Sequence, residues 1–294
     1  MEVLSHALRG AIVAAPGSAL YVADYSSIEA RVVMWLAGES TALTLFRTGA
    51  DIYCDMAGDI YDRPITKADA KERGMGKIAI LGLGYQMGWA KFQAQCALGG
   101  AIIDDDFAEQ VVNAYRTKYW RVKQMWYDTE AAAIDAVLRG RGKRRNTQAV
   151  GAYHCQWTLD GRFLRCLLPS GRSLAYPDPE IRKRETPWGA TQDALTYMGI
   201  NPRTHKWQRQ TAYGGMLVEN KTQAIARDIM AYAMVNCEFD KRFLPVLTVH
   251  DELVCEGKPG LALKAFEALV AKCPDWAPGL PIACDSWTGQ RYHK

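Results

Sequence analysis

The sequence predicts a mixed α/β chain of the α+β kind, in which strands near both ends enclose a mostly helical middle. Three observations predict it. Near the start, "SALYVADYSSIEARVVMWLAGES" runs from a short apolar strand into a helical pattern. Between Asp106 and Leu138, apolar and aromatic residues recur at helical spacing. Near the end, "VLTVHDELVCE" is a Val- and Leu-rich strand interrupted by His250, Asp251 and Glu252.

In the first segment Leu20 to Ala23 form the strand, and Asp24 sits at its end just before the helix. Ser26 with Glu29 three residues later fits a capping box, and Ile28, Val32, Trp35 and Leu36 follow at helical spacing. The stretch "ITKADAKERGMGKIAILGLGYQMGWAKFQAQCA" favours helix at its ends and is Gly-rich in its middle. The long helical pattern carries Tyr115, Tyr119, Trp120 and Trp126 and breaks at "RGRGKRRN". Residues 151 to 180 change to strand and turn text, with "PSGR" as a hairpin turn. "LVENKTQAIARDIMAYAMVNCEF" is helical, the interrupted strand follows, and "GLALKAFEALVAKC" supplies the last helix. Gly and Pro are spread along the chain without repeats or low-complexity tracts, so composition marks no domain cut.

A chain of 294 residues that is 49% hydrophobic and 23% charged can bury a sizeable core, which excludes disorder by composition. The net charge of +4 suits a polyanionic partner without requiring one. Eight cysteines with no Cys-x-x-Cys pair argue against a zinc module or a compact disulfide framework and favour reduced thiols. "MEVLSHALRG" lacks the features of a secretory leader, and no apolar run approaches the ~18 residues of a membrane span. The expectation is a soluble, cytoplasmic protein with no membrane partner.

Two carboxylates carry the chemistry. Asp24 ends a strand, and Asp251 is read as lying inside another, far away in sequence. The bland alternative makes the acidic pair an exposed hairpin turn. If the two strands are sheet neighbours, the carboxylates converge and can hold a pair of Mg²⁺ ions ~3.5–4 Å apart, as in-line phosphoryl transfer requires. Metal binding would also explain such charge beside apolar neighbours. In "RGMGKIAILGLGYQMG", Arg73, Lys77, Leu81 and Tyr85 recur every four residues and make one helical stripe, with cations for phosphate oxygens and a tyrosine for a base. A dinucleotide fingerprint at "GMGKIA" would need a preceding strand, whereas "TKADAKER" is charged and helix-favouring. The Walker pattern fails as well, since Lys71 stands at its first glycine and Ile78 follows the lysine.

In this order the three segments resemble motifs A, B and C of the family A, polymerase I-like DNA polymerases, most closely the bacteriophage type. "DYSSIEAR" is similar to the family's D-Y-S-x-I-E-x-R, the spacing of Arg73, Lys77 and Tyr85 to its R-x3-K-x7-Y helix, and "VHDELV" to its V-H-D-E. "QAIARD" and the closing "LPIACDSWTGQRY" extend the likeness over nearly the whole chain. The resemblance implies a palm with an antiparallel sheet, residues 1–45 and 216–294, and a largely helical fingers subdomain, residues 46–215. It implies template-directed addition of a deoxynucleotide (dNTP) to a primer 3′-hydroxyl on primer-template DNA with two Mg²⁺ ions. Asp24 and Asp251, helped by the Tyr25 carbonyl, would bind metal, and Glu252 would be an auxiliary carboxylate. Arg73 and Lys77 would clamp phosphates, with Lys77 donating a proton to pyrophosphate. Leu81, Tyr85 and Glu29 would line the nucleotide pocket, and His250, Gln223 and Arg31 would meet primer or template.

Several positions depart from the family pattern. Leu81 stands where the bacterial enzymes carry an aromatic residue, Gln86 replaces the usual glycine after the tyrosine, and Glu219 lies where asparagine is common. Glycines 74, 76, 82 and 84 would soften the helix at about 1 kcal/mol each. With Asp24 so near the start, thumb and exonuclease are expected to be absent, either because the enzyme is truncated or because it is split and a separate partner chain carries them. Basic runs at 139–145 and 182–184 would either track template backbone or form solvated surface. A single-subunit RNA polymerase shares the chemistry but gives no reason for Glu29 beside the sugar. The rival class is a nucleic-acid-binding fragment inactive without its missing parts.

Overall fold

A computed structural model describes residues 9–140, 150–185, 189 and 191–293. The chain divides into two compact units: one runs up to Arg31 and resumes at Ile225, the other is Val32–Ala224.

The first unit is built on a four-stranded antiparallel sheet in the order β11-β1-β10-β9, with β1 Ala19–Tyr25, β9 Leu244–Val249, β10 Glu252–Gly257 and β11 Cys284–Gly289. β1 is central and covered on both faces, which explains its almost unbroken apolar text. Leu20 and Val22 pack on one face with Val254 and Tyr292, against half-buried Leu247, Val249 and Trp287. Tyr21 points the other way, edge-on to Phe243 and Phe266 at centroid distances of 5.0 and 6.0 Å. On that same side the Tyr25 hydroxyl donates to the Val270 carbonyl at 2.9 Å, tying the strand to the helix Leu263–Val270.

In the second unit, helix α1 (Ile28–Ala37), which begins in the first, is followed by α2 (Ser40–Thr48), α3 (Ile52–Tyr61), α4 (Ala70–Leu83), α5 (Trp89–Leu98), α6 (Asp105–Lys118) and α7 (Trp120–Gly140). Acidic side chains cap several of them. Asp51 accepts from the amides of Tyr53 and Cys54 at the start of α3, and Asp104 from Phe107 at the start of α6. The expected single helix from Asp106 to Leu138 is two: the chain breaks at Tyr119 (φ −107°, ψ 54°), and Glu39 caps the second piece through the amides of Arg121 and Val122. Gly76 is not a softening residue. A Cβ there would lie 2.1 Å from the Tyr53 carbonyl oxygen, so glycine is what lets α3 and α4 pack.

After α7 the middle of the chain is less helical than expected. Strands β2 (Val150–Ala152), β3 (Cys155–Asp160), β4 (Phe163–Leu167) and β5 (Ser173–Pro177) form a meander, with "PSGR" in the β4–β5 turn as predicted. A second sheet of β6 (Glu180–Glu185), β7 (Thr191–Ile200) and β8 (Trp207–Thr211) went unread in the sequence, because its polar edge strands show no apolar alternation. Most of the basic run at 139–145 lies outside the described residues. Helix α8 (Gly214–Asp240) then leads from the second unit back into the first.

Candidate active site

The acidic residues of the first unit lie at one end of its sheet. Asp24 stands opposite Glu252 of β10 on one side and Asp285 of β11 on the other. Directly opposed residues share a face, so the three acids form a row that ends the apolar floor of Leu20, Val22, Val254 and Trp287. The Tyr25 amide donates to the Asp251 carbonyl oxygen at 3.1 Å, which brings residue 251 beside the end of β1. Glu252 is only 2% exposed, whereas Asp24 and Asp251 are half-buried.

Asp251 is not inside a strand. His250 and Asp251 are the two turn residues between β9 and β10, since Val249 pairs with Glu252. The hairpin turn is therefore what brings the backbone of residue 251 beside the end of β1. His250 takes φ 55° and its Nδ1 lies 2.9 Å from Asp251 Oδ1. Ser26, read as a cap, donates its hydroxyl to Asp285 Oδ2 at 2.9 Å. Asp285 escaped the sequence reading because only register reveals it as a neighbour of Asp24.

Cross-strand carboxylates repel at Cβ separations of about 5 Å and ask for a counter-charge. Among the described residues no three His, Cys, Asp or Glu side chains form a metal cage by themselves. Hard carboxylate oxygens in small number, with remaining positions left to water and phosphate, are the donor set that suits Mg²⁺, so the residues fit that ion.

Arg31, expected at primer or template, is instead buried: its Nε donates to the Ser26 carbonyl at 2.6 Å and its Nη1 to that of Pro281 at 3.2 Å. It pins the β1–α1 turn. Glu29 lies in the first turn of α1, half-buried.

In the second unit, Arg73, Lys77 and Leu81 share the α4 stripe, with Lys77 exposed and Leu81 39% exposed. Arg73 is engaged: its Nε pairs with Asp51 Oδ2 at 2.8 Å and its guanidinium lies 5.3 Å from the Tyr53 ring centroid. Burial pushes the Asp51 carboxyl up, but Arg73 and the amides of Cys54 and Tyr53 outweigh it and hold it below the usual carboxylate value. Tyr85 is off the helix, because α4 ends at Leu83 and the chain turns through Gly84. That turn is held firmly. Trp126 Nε1 donates to the Gly84 carbonyl at 2.7 Å, and Gln86, at φ 66°, accepts the Gly215 amide through Oε1 at 2.9 Å. Glycine would adopt that left-handed φ without steric cost. Gln223 is exposed on α8.

The profile of DNA polymerase family A matches residues 2–156, more than half of the chain. The chain belongs to DNA polymerase family A. It is 37% identical to a DNA polymerase of Bacillus phage SP02 over 99% of its own length and 44% of the phage protein. It is 32% identical to the thermostable DNA polymerase I of Thermus filiformis over 97% of its length and 28% of that protein. Among solved structures, the POL domain of Pol1 from M. smegmatis, in complex with DNA primer-template and dNTP, is similar with a TM-score of 0.60. That likeness has 20% identity and covers 96% of this chain and 41% of the other. This family A chain thus spans less than half the length of the curated relatives it matches. No helix among its described residues is long and apolar enough to cross a membrane.

Proposed function

We propose that the chain carries the catalytic core of a template-directed DNA polymerase, adding deoxynucleotides from dNTPs to a primer 3′-hydroxyl. The observation that carries this reading is the shared end of one sheet, where Asp24 is in register with Glu252 and the Tyr25 amide reaches the Asp251 carbonyl. Asp24 and Asp251, with the Tyr25 carbonyl, are the residues that would hold Mg²⁺. When bound there, the ions supply charge stabilisation for in-line phosphoryl transfer.

The chain's own groups do the rest. Lys77, exposed on α4, neutralises phosphate oxygens and donates a proton to the departing pyrophosphate. Arg73 joins it by exchanging Asp51 for a phosphate, the same charge-assisted geometry with a different anion. Glu252 shields the primer end, His250 orients Asp251, Gln223 contacts the primer, Tyr85 and Leu81 meet the nucleotide, and Glu29 limits room at its sugar.

Primer extension with Mg²⁺ tests the reading, together with Mn²⁺ binding followed by electron paramagnetic resonance. Asp251→Asn should lower extension on the order of a hundredfold or more and weaken Mn²⁺ binding. Extension and Mn²⁺ affinity both unchanged would remove the metal role. The relatives carry their activity on chains more than twice as long, which leaves nucleic-acid binding without turnover as the second reading. Wild-type protein that binds primer-template yet extends it with neither dNTP nor rNTP would favour that reading.

A further inference from the structure

The β6-β7-β8 sheet has no part in the chemistry above, and its outer hairpin has an unusual surface. Ile200 and Trp207 are a cross-strand pair at the far end of β7 and β8, 64% and 59% exposed. Between them Asn201 organises the loop, its Oδ1 accepting from the amides of Arg203 and Thr204 at 2.9 and 3.0 Å while its own amide donates to the Lys206 carbonyl at 2.9 Å. Residues 202–206 are all exposed, so the loop is ordered and outward-facing. No Asp or Glu occurs from residue 194 to residue 218. Among the described residues, neither Arg203 nor Lys206 enters an ion pair, whereas the basic run at 182–184, beside the other end of β7, is partly neutralised, Arg182 by Glu180 and Lys183 by Asp193. The cationic surface is therefore the hairpin tip rather than the run that the sequence draws attention to.

A flat, exposed indole beside a preformed basic loop fits one ligand chemistry well. Cations attract a phosphodiester backbone, and the indole offers a face to an unstacked base, which duplex DNA does not present. We propose that the β7–β8 hairpin binds single-stranded nucleic acid, with a base stacked on Trp207 and flanking phosphates on Arg203 and Lys206. This rests on the polymerase reading only for the strand's identity, which would be unpaired template.

Fluorescence anisotropy of a labelled oligo-dT with the full chain tests it. Trp207→Ala should weaken binding about tenfold while Trp207→Phe keeps most of it. The exposed-loop double variant Arg203→Ala/Lys206→Ala should also weaken binding and reduce the slope of log affinity against log salt by about 1.4. Oligo-dT binding is read without dNTP or Mg²⁺, so failure of the hairpin proposal and failure of extension are distinguished. Wild-type affinity in both Trp207→Ala and the double variant would overturn the proposal. So would equal losses in Trp207→Ala and Trp207→Phe, or a blunt duplex of the same length binding as tightly with the same sensitivity to the variants. Displacement of the oligonucleotide by poly-glutamate with full dependence on Trp207 would overturn it in favour of an acidic protein partner.

Discussion

His250 occupies the first residue of a two-residue hairpin turn at φ 55°, the position that type II′ turns reserve for glycine. An L-residue there costs about 1–2 kcal/mol, and strain of this kind tends to persist where a side chain is needed. The side chain in question contacts Asp251, with Nδ1 2.9 Å from Oδ1. His250→Gly should therefore raise stability by about 0.5–1 kcal/mol in denaturant titration, the gain being trimmed by the greater freedom of glycine in the unfolded chain. The same variant should extend primers more slowly. A destabilised protein would contradict the strain at φ 55°, and unchanged extension would show that the imidazole does not orient the carboxylate. Gln86 holds a second left-handed position, but there the side chain itself fixes the turn through the Gly215 amide.

At the scale of elements, Asp51 does two jobs: it caps α3 and it pairs with Arg73 of α4. Asn keeps a capping oxygen and loses the charge, whereas Ala loses both. Asp51→Asn should cost about 0.5–1 kcal/mol and Asp51→Ala about 1 kcal/mol more. The folded carboxyl is held below its unfolded value. Its stabilisation is therefore full above the unfolded value of about 4 and is given up as pH falls through the lower, folded one. Thermal melts of wild type and Asp51→Asn should converge as pH drops below 4, and a gap that widens would contradict the assignment. The helices legible in the sequence were those with strong apolar periodicity, a local signal, whereas α2 and α3 carried none that stood out. What else was not legible depended on partners distant in sequence: Asp51 lies 22 residues from Arg73, and Glu39 lies 82 residues from the Arg121 amide it caps. Tyr85 looked helical because spacing alone cannot show that Gly84 and a left-handed Gln86 end α4. Likewise the two-residue turn at 250–251 lacks the Asn or Gly that marks most hairpins, so flanking Val and Leu made it read as strand.

At the scale of the molecule, the unit that holds the carboxylates is assembled from the two ends of the chain, and the other is one continuous stretch, Val32–Ala224. The sequence showed both acids but could not show Asp285 between Ser26 and Asp24, since register is a property of the closed sheet. Closure has a kinetic cost. β1 finds its partners only after the chain has looped back: the Tyr25 hydroxyl reaches Val270, 245 residues on, and that of Tyr21 reaches the Lys258 carbonyl, 237 residues on. Contacts in the continuous unit are far more local, as where Lys118 at the end of α6 meets Asp59 of α3, or Trp126 meets Gly84. Loop-closure entropy is lost before distant strand pairs can compensate, so structures rich in non-local pairings form later. In pulse-labelled hydrogen exchange during refolding, amides of α3, α4 and α7 should therefore gain protection first, and those of Tyr21 and Ala23 in β1 should follow in a slower phase. Mn²⁺ binding should appear with the slow phase, because Asp24 and Asp251 become neighbours only when β1 pairs with β10. Protection of β1 in step with the helices, or Mn²⁺ binding before it, would mean that the carboxylate end forms without its sheet.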